Sequence, residues 1–212
     1  MSSQVISIEG NIGSGKSTFI KILKKKHPEF IYLLEPIDIW NTIVGENGDN
    51  ILTLFYKDQE KYAFAFQMMA YISRLSSLKK IINENPGKII ITERSLYTDK
   101  NVFAKMLYDD NKINKVEYDI YCKWFDEFSV PITKYIYMKS DPYIAMQRII
   151  NRNRSGETLS IEYLSQCDIY HDRWLLNCDN KLILNVNHNI YPVEKTDCVD
   201  NWVSNCVNYI IN

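Results

Sequence analysis

Val5-Ile6-Ser7-Ile8-Glu9-Gly10-Asn11-Ile12-Gly13-Ser14-Gly15-Lys16-Ser17 is the stretch that decides how this chain folds. Val5 to Ile8 is a short apolar run suited to a buried strand, Glu9 to Ser14 a glycine-rich turn, and Lys16 to Lys26 a helical pattern that stops before Pro28. Gly10 to Ser17 fits G-x-x-x-x-G-K-[ST] and lies between a strand and a helix, the context this pattern needs. Its glycines let backbone N–H groups turn inward around phosphate oxygens, and the helix N-terminus adds its positive end. Lys16 supplies a point charge, Ser17 a hydroxyl for Mg²⁺, and Asn11, Ile12, Ser14 and Thr18 complete the phosphate-contacting run.

Outward from this loop, strands and helices alternate. Strands are expected at Phe30 to Leu34, Lys88 to Thr92, Ile132 to Met138 and Lys181 to Val186. Helices are expected from about Asp58 to Asn83, through Leu107, and over Val116 to Phe128, Pro142 to Asn151, Ile161 to Leu176 and Thr196 to Ile211. The segment with Gly45 and Gly48 reads as polar connection. Such alternation predicts an α/β fold, a five-stranded parallel sheet flanked by helices, with ligands at the carboxyl ends of the strands. No repeat, low-complexity tract or linker interrupts it, so one domain over residues 1–212 is expected.

With 46% hydrophobic and 24% charged residues the chain has an ordinary globular composition, which excludes disordered and collagen-like readings. Its 25 Lys+Arg against 26 Asp+Glu leave a net charge of −1. There is no global basic field to hold a nucleic-acid polymer, so any anionic ligand must be met locally. The 5 cysteines include no Cys-x-x-Cys pair, and reduced thiols are expected. No apolar run approaches a membrane span and no basic segment precedes the first strand; a soluble, cytoplasmic protein with no membrane partner is the expectation.

A phosphate loop alone does not separate a switch, a motor and a small-molecule kinase. No Asn-Lys-x-Asp guanine-reading segment is present, and no strand ends in the Asp that holds metal in many phosphate-loop ATPases. Instead Glu35 follows the second strand and Glu93-Arg94 the third. If those strands flank the phosphate-loop strand, all three groups converge on one crevice. Phosphoryl transfer needs an oriented acceptor oxygen, a carboxylate to take its proton and cations over the developing charge; Glu35, Arg94, Lys16 and Mg²⁺ would supply them. Arg148, Arg152 and Arg154 have the spacing of a helix end running into a loop and read as a phosphate lid, over about 148–160, that would exclude water. The plainer reading of those arginines is a solvated basic face.

Over almost its whole length the sequence resembles the deoxynucleoside kinases of the deoxycytidine/deoxyguanosine kinase type, a family with the P-loop kinase fold. The resemblance rests on the phosphate loop, Glu35-Pro36-Ile37-Asp38-Ile39-Trp40, Phe66-Gln67, Glu93-Arg94-Ser95-Leu96-Tyr97-Thr98-Asp99 and the arginines from Arg148 to Arg154. It implies that Glu35 is general base for the sugar 5′-hydroxyl, that Arg94 holds the hydroxyl and phosphate end, and that Glu93 with Ser17 holds Mg²⁺. Gln67 would pair with the nucleobase edge, and Trp40, Phe66 and Phe103 would flank the ring, although each aromatic taken singly is as well suited to a core. Tyr56 matches the residue that meets the sugar 3′-oxygen, and Glu157 its carboxylate partner in the lid.

In this family an Arg on the Phe-Gln helix and an Asp after Glu-Arg-Ser accompany deoxycytidine or purine use, and Arg74 and Asp99 match both; the bland alternative is a structural ion pair. The resemblance thus implies ATP or another nucleoside triphosphate as donor, a deoxynucleoside acceptor and a role in nucleotide salvage. It also implies a homodimer, built on helices between Asp58 and Asn83 and between Leu96 and Leu107. A thymidine-preferring or broad-specificity kinase is a close alternative. A nucleoside monophosphate kinase would place cations where Glu35 stands, since a carboxylate would repel the acceptor phosphate. A non-catalytic nucleotide-binding module would keep the loop without needing the base, the arginine or the lid.

Overall fold

The computed structural model describes residues 3–153, 159–188 and 197–212. Its centre is a parallel sheet of β1 (Gln4–Glu9), β2 (Ile31–Leu33), β3 (Ile89–Glu93), β4 (Lys134–Lys139) and β5 (Lys181–Asn185), in the spatial order β2-β3-β1-β4-β5. The expected five-stranded parallel sheet is therefore present, and its order answers the condition set by the sequence. Only β3 pairs with the phosphate-loop strand on that side, in a register that sets Ile8 opposite Glu93; β2 lies outboard of β3. Glu35 still reaches the crevice, because β2 stops at Leu33 and the chain turns at Glu35-Pro36 back across the end of β3.

Helices cover both faces of the sheet. α1 (Lys16–Lys26) buries Phe19, Ile20 and Leu23, spaced for one helical face, against Ile6, Ile8 and Ile91 of the sheet and Trp202, Val203 and Cys206 of α10 (Asp197–Ile211). Full burial of a side chain such as Leu23 contributes roughly 1.5–3 kcal/mol. On the opposite face α4 (Gln59–Glu84) starts at the Asp58 cap, whose side chain accepts the Lys61 N–H, and ends before Pro86-Gly87. It packs Leu78 on Val5 and Ile90, and Tyr71 on Tyr121 and Phe125 of α7 (Lys115–Phe128).

Two helices lie where only a polar connection was expected: α2 (Ile37–Asn41) and α3 (Ile51–Lys57). Both are short enough that tertiary burial decides them. Trp40 of α2 and Ile51 and Phe55 of α3 close a second core with Phe66 and Ala70 of α4. Asn50 caps α3 by accepting the Thr53 N–H at 2.8 Å, a signal the sequence did carry.

After β3 the chain makes the short turn α5 (Leu96–Thr98), a π-helical segment over Asp99–Ala104 and α6 (Lys105–Asp109). Leu96, Val102, Ala104, Met106 and Leu107 are all buried within the chain. This stretch contributes most of its apolar side chains to the chain's own core. Among the described residues, the exposed large apolar side chains include Val116, Ile120, Trp124 and Phe128 of α7 and Ile72 of α4. α8 (Pro142–Arg152) and α9 (Ile161–Leu175) complete the crevice side. All five cysteines are free thiols. Among the described residues no helix is long and apolar enough to cross a membrane.

Candidate active site

β1 delivers the chain into the phosphate loop, and the glycines there are required by packing. Gly13 has φ +78°, and a Cβ on it would sit 2.4 Å from the Ala145 carbonyl oxygen and 2.9 Å from Ile149 of α8. A Cβ on Gly10 would sit 2.5 Å from the Met138 carbonyl oxygen. The loop is thus pressed against α8 and the end of β4, which fixes its curvature. Asn11 donates its side-chain amide to the Leu164 carbonyl of α9 at 2.8 Å, tying the loop's other side. Lys16 is buried, and its Nζ donates to the carbonyl oxygens of Gly10 at 2.9 Å and Asn11 at 2.7 Å and to Ser14 Oγ at 3.4 Å. Burial, and then Arg94, lower its ammonium to about 7.

From the loop a cleft of about 270 Å³ runs to an apolar pocket closed by Trp40, Phe66 and Phe103. Gly13 to Thr18, Ile12, Glu35, Tyr56, Gln67, Arg74, Glu93, Arg94, Asp99, Arg148 and Arg152 also line it, so nearly all the expected site residues meet in one cavity. Arg154 and Glu157 lie outside the described residues. Gly10 and Asn11, at the start of the loop, do not line the cleft wall.

Between the loop and the apolar pocket runs a relay of buried charges. Asp99 Oδ2 accepts from Arg74 Nε at 2.9 Å, Arg74 Nη2 donates to Glu35 Oε1 at 3.1 Å, and Arg94 Nη1 donates to the same oxygen at 2.8 Å. Arg74 Nη1 also donates to the Glu93 carbonyl at 2.8 Å. Burial would raise the Glu35 carboxyl, but Arg94, Arg74 and Lys16 outweigh it and hold it down at about 2. Glu35 is therefore a carboxylate across the neutral range, beside the phosphate loop. Arg94 is aimed there from the end of β3 and lies 5.2 Å from the Phe103 ring. Arg74 and Asp99 do form the ion pair of the bland reading, and they do so as cavity wall.

The apolar end is built by α2, α3 and α4. Trp40 is both core and wall: its ring meets Phe66 edge-on at 5.4 Å, and its Nε1 donates to Ser73 Oγ at 2.9 Å. Phe66 stacks on Phe55 at 4.8 Å. Gln67 is buried, and among the described residues no donor reaches its Oε1, which leaves an acceptor beside the pocket for a ligand edge. Sequence reasoning missed Ile37, Leu52, Phe55, Ala70 and Tyr163 as wall residues. No local motif marks them; they reach the cavity from α2 (Ile37), α3 (Leu52, Phe55), α4 (Ala70) and α9 (Tyr163), which tertiary packing brings together.

At the loop, Ser17 Oγ donates to Glu93 Oε1 at 2.5 Å. A hydroxyl and a carboxylate in contact beside a phosphate loop are hard oxygen donors that suit Mg²⁺, which binds through one or two protein groups together with substrate phosphates and water. The end of α8 faces the same region. Arg148 donates to the carbonyl oxygens of Ser14 at 3.2 Å, Val186 at 2.6 Å and His188 at 3.0 Å, bracing the loop against the end of β5.

Comparison with known proteins agrees with this geometry. A family model described as deoxynucleoside kinase matches residues 6–212. The chain is 39% identical over 175 residues to a fowlpox virus protein named "Probable deoxycytidine kinase", covering 80% of this chain and 71% of that one. It is 34% identical over 195 residues to human deoxycytidine kinase, covering 81% and 75%. It is 31% identical over 191 residues to the mitochondrial deoxyguanosine kinase of Xenopus laevis, covering 80% and 72%. A parallel sheet ending in a phosphate loop, with a carboxylate held between two arginines at its edge, is thus the site of a chain that belongs to the deoxynucleoside kinase family.

Proposed function

We propose that this protein, as one domain, transfers the γ-phosphoryl group of ATP or another nucleoside triphosphate to the 5′-hydroxyl of a deoxynucleoside, with deoxycytidine and purine deoxynucleosides as substrates, in nucleotide salvage. The observation that carries the reading is the position of Glu35. Its Oε1 is shared by Arg94 at 2.8 Å and Arg74 at 3.1 Å, between a phosphate loop and an aromatic pocket. A carboxylate there accepts the proton of an alcohol and would repel an acceptor that was itself a phosphate.

In this reading Glu35 takes the 5′-hydroxyl proton, and Arg94 orients that hydroxyl and faces the charge that develops on the transferred group. The phosphate loop from Gly10 to Thr18, with Lys16, cradles the donor phosphates, and Arg148, Arg152 and Arg154 close over them. Trp40, Phe66 and Phe103 flank the nucleobase, Gln67 pairs with its edge, Arg74 and Asp99 select the base class, and Tyr56 with Glu157 meets the 3′-hydroxyl. Ser17 and Glu93 would hold Mg²⁺, which when bound neutralises charge on the donor phosphates. The unpartnered acceptor of Gln67 supports the base-pairing role. A cytoplasmic homodimer through the exposed α7 residues Ile120, Trp124 and Phe128 completes the proposal.

The test is ADP release from MgATP with each of the four deoxynucleosides, for the natural protein and Glu35→Gln. Deoxycytidine or a purine deoxynucleoside should stimulate turnover, and the substitution should lower kcat by roughly 10²–10⁴ with ATP binding intact. Turnover with thymidine alone refutes the substrate class. Turnover with a nucleoside monophosphate but no nucleoside refutes Glu35 as base.

A further inference from the structure

Glu9, the last residue of β1, is fully buried and touches neither the cleft nor the Glu35 relay. Among the described residues it makes no ion pair; burial pushes its carboxyl up and outweighs the hydrogen bonds and the Arg94 charge that draw it down, so an acid enclosed here is costly and its presence calls for a physical reason. Three hydroxyls surround it. Ser7, two residues earlier on the same strand face, and Ser95 each donate to Glu9 Oε1 at 2.6 Å. Thr98 Oγ1 donates to Glu9 Oε2 and accepts the Ser95 N–H at 3.3 Å. All four residues are sealed from solvent.

What this knot grips is the turn that carries Arg94. Arg94 has φ +59°, a conformation uncommon outside glycine and sustained only where the surroundings over-determine it. Its N–H donates to the Ile8 carbonyl at 2.9 Å, and the next residue is bound to Glu9 through Ser95 Oγ, so two successive bonds to β1 bracket the left-handed residue. From that backbone the guanidinium reaches Glu35 at 2.8 Å.

We propose that Glu9 is a positioning residue for phosphoryl transfer: by gripping Ser95 and Thr98 its carboxylate holds the Arg94 backbone in the left-handed conformation that aims the guanidinium at Glu35. The inference rests on the kinase reading above. It couples the strand that ends in the phosphate loop to the arginine that faces the base, so that donor and acceptor ends of the site keep one spacing. A readable consequence follows at Glu35, whose charged neighbours are Arg94 from the end of β3, Arg74 of α4 with its partner Asp99, and Lys16 of α1. Loosening Arg94 weakens the largest of the attractions that hold the Glu35 carboxyl down.

Two substitutions in the full chain test this. Glu9→Gln keeps length but turns one acceptor oxygen into a donor, and Thr98→Val removes one hydroxyl with little change of shape; if the first fails to fold, the second carries the test. The readouts are kcat, KM for ATP and nucleoside, the acid limb of the kcat/KM profile, and the ¹⁵N–¹H signal of Arg94 Nε assigned with Arg94→Lys. The expected result is a fall in kcat of about 10- to 100-fold, ATP KM within about twofold, an acid limb moved to higher pH and a displaced Arg94 signal. A kcat within twofold overturns the proposal. So does a lower kcat with the acid limb and the Arg94 signal unmoved, which is what a merely structural residue gives. If the natural protein phosphorylates no nucleoside, the kinase reading fails separately, and an unmoved Arg94 signal still overturns the clamp.

Discussion

Replacing Asp99 by Ala and Arg74 by Met, singly and together, probes the charge relay where its geometry is most explicit. Both side chains are nearly sealed from solvent, 4% exposed for Arg74 and 3% for Asp99. Breaking a buried pair by removing one partner costs about 3–5 kcal/mol, because the other charge is stranded. The two halves are unequal here. Without Asp99, Arg74 keeps Glu35 at 3.1 Å and the Glu93 carbonyl at 2.8 Å, so Asp99→Ala belongs at the low end, about 3 kcal/mol. Without Arg74, Asp99 loses every side-chain donor it has among the described residues, so Arg74→Met belongs at the high end, about 5 kcal/mol at pH 8.

Asp99 also gives the second loss a pH dependence. Burial pushes its carboxyl up even with Arg74 present; without that cation the folded-state value rises further above the unfolded one, and stability falls as pH rises through the interval between them. Arg74→Met should therefore be less damaging at pH 5 than at pH 8. The double replacement should cost less than the sum of the singles by about 2–3 kcal/mol, since neither charge is then stranded. Thermal unfolding by calorimetry reads this directly: for a chain of this length 3 kcal/mol corresponds to roughly 6–12 °C in Tm. Additive single losses, or an Arg74→Met deficit that does not change between pH 5 and pH 8, would refute the reasoning.

Three further outcomes are expected. Gly13→Ala must place a Cβ 2.4 Å from the Ala145 carbonyl oxygen at φ +78°, and ATP affinity by titration calorimetry should drop roughly tenfold or more, the equivalent of about 1–3 kcal/mol of backbone strain; unchanged affinity would show that α8 does not shape the loop. His171 is fully buried and burial lowers its imidazole to about 3, so between pH 6.5 and 3 the unfolded chain binds more protons and stability falls as pH falls, by up to about 1.4 kcal/mol per pH unit. His171→Phe should flatten the urea midpoint between pH 7 and pH 5, and an unchanged slope would count against a neutral buried ring. Trp124 of α7 is half exposed beside Phe128, and Trp124→Glu should convert a dimer to a monomer by light scattering; a natural protein already monomeric at micromolar concentration refutes the α7 interface.

The phosphate loop was legible from sequence because its chemistry is local: Gly10 to Ser17 are contiguous, and the glycines, the lysine and the hydroxyl act where the chain puts them. Glu35, Arg94 and the alternation of strands and helices were legible for a related reason, since strand ends in a parallel sheet share one edge. Whether β2 lies beside β1 is a condition the sequence leaves open, and β2 lies beyond β3; hydrogen-bonded strand order depends on crossovers that no single segment encodes. α2 and α3 escaped notice because each is too short to declare itself and is held by the burial of Trp40, Ile51 and Phe55 against α4. How much of the apolar content between Leu96 and Leu107 the chain's own core takes up was not legible either, because composition does not say which surface a side chain covers.

By itself the sequence determined an α/β chain with a phosphate loop, a carboxylate and an arginine at successive strand ends, and an aromatic set beside a glutamine. Only the tertiary structure decided that Arg74 bridges Asp99 and Glu35, that Gln67 keeps an acceptor without a partner, and that Glu9 grips the turn behind Arg94. Those facts depend on distances between residues far apart in the chain, and on burial that turns ordinary polar side chains into fixed, strongly interacting groups.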